Sequence, residues 1–337
     1  MKNRRHMLLA VLVLGAFFLP GGVRVSAATA DSPIVIRYAT LAPPGSSFGK
    51  VLAAWGRTIK KQTEGRVELR VYGGGSQGDE RDVLRKMRAG QVDAAGVTTT
   101  GMGMLVRPVL VLTVPGLLTE YDDLRRVSSK LRGRFNKLFE RAGVRLLAWG
   151  DGGKNRLFST RIIAKPDDLK RARPWAWKDD PVFAEFIRVI GANPVRVGAM
   201  EVYPGLQTRM IDVAPASCIV AVAFQWHTRL KYMVKDNLSL ILGGSIITQE
   251  KFDALTSGDQ RILIDTAERT TRASDKIVRR DDLKAYQTML KRGIEEIDTS
   301  PHKAAWDAVA LKTREQLTGR VYTKSLLEAV EAEAAAP

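Results

Sequence analysis

The chain carries very little material for redox, metal or nucleophilic chemistry. It holds one cysteine, Cys218, and three histidines, His6, His227 and His302. No internal disulfide is therefore available, and no two imidazoles or thiolates stand at metal-ligand spacing. No Gly-x-Ser-x-Gly turn marks a nucleophilic serine. Acidic residues are also in short supply, 36 against 53 lysines and arginines, which leaves a formal charge of +17. The basic residues are spread over nearly every segment with acids interleaved, and no nucleic-acid motif accompanies them. A solvated basic surface fits that distribution better than a nucleic-acid interface. Beyond residue 30 no stretch approaches the ~18 consecutive apolar residues of a membrane span. These absences exclude a metal centre and a cofactor-dependent enzyme as first expectations, and no catalytic residue is assigned.

What is present begins with a leader. Lys2, Arg4 and Arg5 precede an apolar run from Met7 to Leu19, and small residues follow up to Ala30. This is the layout of a cleavable signal peptide over residues 1–30 and predicts export to the periplasm. With no disulfide, a mature chain of this length must be held by its own cores, which at this size means two lobes.

Strand and helix patterns then alternate. Ile34 to Ala39 reads as a buried strand, Phe48 to Thr63 as a helix, Val67 to Val71 as an alternating strand, Asp79 to Ala89 as a helix, and Val92 to Val97 as a strand. Such an order implies a largely parallel sheet whose ligand edge lies beyond the carboxyl ends of its strands. Leu41, Ser47, Thr98 and Thr99 fall at that edge. Leu124, Val127, Leu131, Phe135 and Phe139 recur at helical spacing under a basic outer face. Gly150-Asp151-Gly152-Gly153, after a strand ending at Trp149, suits a hinge into a second lobe. From a capping box at Ser257 to Gln260 an apolar stripe runs to Gly293, a helix of roughly 50 Å that can brace both lobes.

Gly73, Gly75 and Gly78 satisfy the Gly-x-Gly-x-x-Gly spacing, with Asp93 near the place of a ribose-binding carboxylate. The preceding strand alternates charged Glu68 and Arg70 where a central dinucleotide-binding strand is apolar throughout. A glycine-rich strand-to-helix turn is the better reading, and an exported nucleotide-dependent oxidoreductase the remote one.

Several motifs in order carry a resemblance. They are Glu64-Gly65-Arg66-Val67 leading to Gly73-Gly74-Gly75-Ser76-Gln77-Gly78; Pro166-Asp167-Asp168-Leu169-Lys170; Gly191-Ala192-Asn193-Pro194; and Glu201-Val202-Tyr203-Pro204-Gly205-Leu206-Gln207-Thr208 with Asp212. Over residues 34–320 the chain resembles the solute-binding proteins of tripartite ATP-independent periplasmic (TRAP) transporters, the DctP-like family. The resemblance implies an α/β, two-lobed periplasmic-binding-protein-like fold. Each lobe would be a mostly parallel sheet flanked by helices, with a long helix across both. It places residues 31–152 and about 241–280 in the first lobe, 153–240 and about 281–330 in the second, and 331–337 in a frayed tail. It also implies a monomer that closes by a hinge on a small ligand and delivers it to TRAP membrane subunits, with Tyr203 at the cleft.

Members of the family usually hold an organic acid through an arginine. In this chain the matching stretch is Asp168 to Trp177 and the arginine slot falls on Trp175 or, counted back from Gly191, on Ala176, neither of them an arginine. Ala199 and Ala216 stand where the family commonly has an aromatic residue and an asparagine, while a second family arginine is matched by Arg156. An indole offers stacking, apolar area and one N–H donor in place of a bidentate cation. Trp175 and Trp177 alternate along an expected strand and share a face. The expected ligand is therefore apolar or aromatic, with at most one anionic group met by Arg156. A periplasmic carrier or sensor-associated binding protein without membrane subunits has the same sequence requirements.

Overall fold

The computed structural model describes residues 32–336; the expected signal segment lies outside the described residues. The first lobe is built on β1 (Ile34–Thr40), which pairs in parallel with β2 (Val67–Tyr72) on one side and β3 (Ala94–Thr98) on the other. Between them run α1 (Ser47–Gln62) and α2 (Glu80–Arg88). Each starts on a side-chain cap: Ser46 Oγ accepts from Gly49 N, and Asp79 from Glu80 N. After α3 (Thr99–Leu105), α4 (Tyr121–Arg141) buries Leu124, Val127, Leu131, Phe135 and Phe139 and leaves its arginines outward, as the periodicity predicts.

The link between lobes differs from the expected glycine hinge loop. Gly150–Gly153 lies inside one long strand, β4 (Val144–Ser159, 16 residues), antiparallel to the ten-residue β9 (Ser239–Thr248). Pairing runs from Val144 opposite Thr248 to Asn155 opposite Ser239, with register irregularities at Leu146/Ala148 and Asp151/Gly153. Gly153 sits at the second one with φ of 100°, a conformation that suits glycine and bends the ribbon there.

The far end of β4 pairs with β7 (Val213–Ala216) and β8 (Tyr232–Val234), and β8 in turn with β10 (Glu295–Ile297). β5 (Trp175–Trp177) and β6 (Val195–Val197) form a separate parallel pair, with α5 (Pro181–Ile190) between them. The sheets are mixed rather than mostly parallel. The strand pairs divide equally between parallel and antiparallel, because β9 runs against both β3 and β4 and β4 also opposes β7 and β8. Short helices α6 (Val202–Gln207) and α7 (Cys218–Ala223) complete this lobe, and α8 (Gln249–Asp253) follows β9.

The long helix is α9 (Ser257–Lys291), 35 residues or about 52 Å. Its cap is Thr256, whose hydroxyl accepts from Asp259 N, one residue before the expected start. Leu263 and Ala267 enter the first-lobe core and Met289 the second-lobe core, so one helix spans both. α10 (Lys303–Leu317) packs on α5. The end of the chain departs from expectation. α11 (Lys324–Ala334) is ordered helix, and Leu317, Val321, Tyr322, Leu326, Leu327 and Val330 are buried in the same cluster as the apolar face of α4. That apolar spacing ties the segment to the first lobe. Among the described residues no helix is long and apolar enough to cross a membrane.

Candidate ligand-binding cleft

A cavity of about 330 Å³ lies where the ends of β1, β3, β5 and β7 meet the β4–β9 ribbon, with α9 along one side. Its size falls in the usual range for small-molecule sites. Seven residues singled out in the sequence line it: Leu41, Thr98, Thr99, Trp175, Trp177, Ala199 and Ala216.

The second lobe supplies an aromatic wall. Strand alternation puts Ala176 into the core and turns Trp175 and Trp177 the same way, with ring centroids 6.1 Å apart. Trp226 meets Trp175 edge-on at 5.4 Å, and Phe224 lies 5.6 Å from Trp226. Trp175 Nε1 donates to Val197 O and Trp177 Nε1 to Asp79 Oδ2, both at 3.0 Å. Both indole donors are thereby spent on protein, which fixes the ring planes. Phe224 and Trp226 were not singled out from sequence; the available signal was their alternation right after the apolar Cys218–Ala223 helix.

The first lobe contributes Tyr38, Phe48, Trp55 and Trp149 together with threonines, small residues and the buried carboxyl of Glu80. Glu80 accepts from Thr98 N at 2.6 Å and from Thr98 Oγ1 at 2.9 Å. Burial pushes its carboxyl up to about 7. Thr99 Oγ1 donates to Leu242 O at 2.7 Å, and the hydroxyls of Tyr38 and Ser245 are paired at 2.7 Å. Asp79 also crosses to the other lobe: its Oδ2 accepts from Ala199 N at 3.0 Å besides the Trp177 indole, while Oδ1 accepts from Glu80 N. Next to it Arg81 pairs with Asp179. This clasp is not apparent from the sequence, where Asp79 reads only as the start of a helix.

Three expected site residues are elsewhere. Ser47 Oγ donates to Asp281 Oδ2 on α9 at 2.7 Å. The Tyr203 hydroxyl accepts from Arg229 Nε at 3.3 Å and Nη2 at 3.2 Å. Arg156, expected to meet an anionic group, does not line the cavity; its neighbour Asn155 does, and strand alternation turns Arg156 away. Arg156 Nε donates to Lys235 O at 3.1 Å, Nη1 donates to Lys154 O at 3.3 Å, and the guanidinium lies over Tyr286 and 4.0 Å from buried Asp282.

Other chemistry finds little support. Gly74 N donates to Ala42 O and Gly75 N to Thr40 O, so the glycine turn spends these donors on the β1–α1 loop. Asp93 is held by Arg37 at 2.6 Å and Lys251 at 3.5 Å. Cys218 is buried, and burial pushes its thiol up to about 12. Among the described residues no cluster of histidine, cysteine and carboxylate could hold a metal ion.

A two-lobed fold closed around a cavity is the architecture of a solute receptor, and similarity to known proteins agrees. A family model described as bacterial extracellular solute-binding protein, family 7, matches residues 38–317, and the chain belongs to that family of TRAP-type periplasmic solute-binding proteins. A Chromohalobacter salexigens solute-binding protein is 28% identical over 216 residues, 64% of each chain. The 2,3-diketo-L-gulonate-binding periplasmic protein of Escherichia coli is 25% identical over 278 residues, 81% of this chain and 84% of that one. The crystal structure of a C. salexigens TRAP solute-binding protein with bound D-glucuronate superposes with a TM-score of 0.82 at 22% identity, covering 88% of this chain and 99% of the other.

Proposed function

We propose that this chain is the exported receptor subunit of a TRAP-type transporter whose cleft takes an apolar or aromatic solute in place of the organic acids named for its relatives. The observation that carries the reading is the wall formed by Trp175, Trp177, Trp226 and Phe224 on the cavity, with Trp175 at the position where the family's acid-binding arginine is expected. Stacking on fixed indoles supplies affinity through apolar area and ring geometry, and orders few side chains on binding. Ala199 and Ala216 enlarge the space that the rings face.

In this reading residues 1–30 direct export and the mature protein is a periplasmic monomer. The two lobes move about the β4–β9 ribbon near Gly150–Gly153, and the closed form hands its solute to the membrane subunits. The first lobe comprises residues up to about 152, about 241–280 and the terminal stretch from Leu317; the second comprises the remainder.

Calorimetry tests the reading. Naphthalene-sized aromatic compounds should bind with a negative heat-capacity change, the mark of buried apolar surface, and succinate or glucuronate should give no heat. Tight succinate or glucuronate binding with no response to the aromatics would overturn it.

A further inference from the structure

The cavity wall contains no lysine, arginine or histidine among its described residues, and its acidic members are three carboxyls, Glu80, Asp151 and Asp180. Each is already engaged. Glu80 accepts twice from Thr98, Asp151 is paired with Arg279 at 2.6 Å, and Asp180 caps α5 by accepting from Val182 N and Phe183 N. A ligand carboxylate entering this space would shed its hydration, find no cation, and sit among groups of its own sign. A ligand ammonium would find aromatic faces, but the carboxyls are committed to the protein.

Charge therefore has no free partner of either sign in the cleft. Uncharged polarity does: the hydroxyls of Thr270, Thr271 and Ser274 on α9, and of Thr100 beyond β3, line the cavity and make no hydrogen bond to other described residues. Hydroxyls donate and accept without a net charge to be compensated.

We propose that the cleft selects an uncharged solute, an aromatic or similarly apolar frame carrying a hydroxyl or carbonyl that meets the α9 hydroxyls, and rejects carboxylates. The proposal rests on the aromatic-wall reading above and adds a charge filter to it. The filter belongs to the pocket as a whole, so restoring the family's acid preference requires a new cation in the wall.

Titration with three matched probes at pH 7.5 tests it: 2-naphthalenemethanol, 2-naphthoate and 2-naphthylmethylammonium, with glucuronate alongside. The alcohol should bind and the naphthoate should bind at least ~100-fold more weakly, the scale expected when a buried charge finds no partner. The ammonium should be weaker than the alcohol. Substituting Ser274→Ala should weaken the alcohol several-fold and leave the already weak naphthoate unchanged. Naphthoate binding as tightly as the alcohol overturns the charge filter and leaves the aromatic wall standing, and ammonium binding more tightly than the alcohol overturns the assignment to an uncharged solute. No binding by any naphthalene probe, with or without glucuronate binding, overturns the aromatic reading itself.

Discussion

The two sides of the cleft are made from different chemistry. The second-lobe wall is large rigid rings, Trp175, Trp177, Trp226 and Phe224, of which Trp175 and Trp177 spend their indole donors on protein at Val197 and Asp79. The first-lobe wall mixes threonines and small residues with Tyr38, Phe48, Trp55 and Trp149, and is backed by Glu80 and Asp79 at the start of α2. The contrast separates two tasks. Rings held in place recognise apolar surface, whereas a carboxylate reaching across can register whether the lobes have met. Asp79 joins the two, because the indole it holds, Trp177, is itself part of the recognition wall. In the proposed function, closure and recognition thus share one hydrogen bond.

The division can be broken from either side. The largest effect is expected for Trp175→Ala, which removes the ring at the centre of the wall. Loss of a buried aromatic costs about 3–5 kcal/mol in stability, and affinity for an aromatic probe should fall ~100-fold or more by calorimetry. Trp175→Phe should recover most of the stability and part of the affinity. Unaltered binding by Trp175→Ala would move recognition to the first lobe.

Next comes Asp79→Ala. It removes the acceptor for Trp177 Nε1 and Ala199 N together with the α2 cap, the cap alone being worth about 1 kcal/mol. The lobes should separate more readily, seen as a larger radius of gyration by small-angle scattering, and affinity should drop ~10-fold, with Trp177 loosened and Trp175, Trp226 and Phe224 in place. Arg156→Met gives the complementary outcome. It withdraws the guanidinium from buried Asp282, so stability should fall by about 1–3 kcal/mol with ligand affinity within about twofold of the parent. A large affinity loss would return Arg156 to the cleft.

The smallest effect concerns pH. The Glu80 carboxyl, ordinarily near 4.5, is raised by burial to about 7 in the folded chain. The folded state therefore holds its proton more firmly. The resulting stabilisation is complete below about 4.5 and is lost as pH rises through about 7. Burial, helped by Asp151, raises Asp275 to about 6 with the same sign. Thermal melts from pH 8 to pH 5 should show stability rising, and Glu80→Gln should flatten the upper part of that rise.

The sequence discloses most of the first lobe. The β1-to-β3 run is strongly periodic, and α9 has a capping box at its start and an apolar stripe long enough to measure. Trp175 and Trp177 are also legible, since alternation in a strand needs only local information. Three things were hidden because they depend on distant pairing. Phe224 and Trp226 join the wall only once β7 and α7 fold back beside β5. Asp79 becomes a cross-lobe acceptor only when the lobes meet. The facing of Arg156 depends on β4, whose irregularity at Asp151/Gly153 disturbs the count of alternation along the strand in a way that composition does not announce. The mixed sheet has the same origin, because nothing local marks Val144–Ser159 and Ser239–Thr248 as one antiparallel ribbon.

The central claim, a ring-walled cleft without a cation that holds an uncharged apolar solute, is tested most directly by native mass spectrometry of the exported protein as purified from its own cells, followed by release and identification of whatever remains bound. The account predicts a retained neutral, aromatic or similarly apolar molecule that is lost in Trp175→Ala. A retained uronate or dicarboxylate, kept by Trp175→Ala, would contradict it.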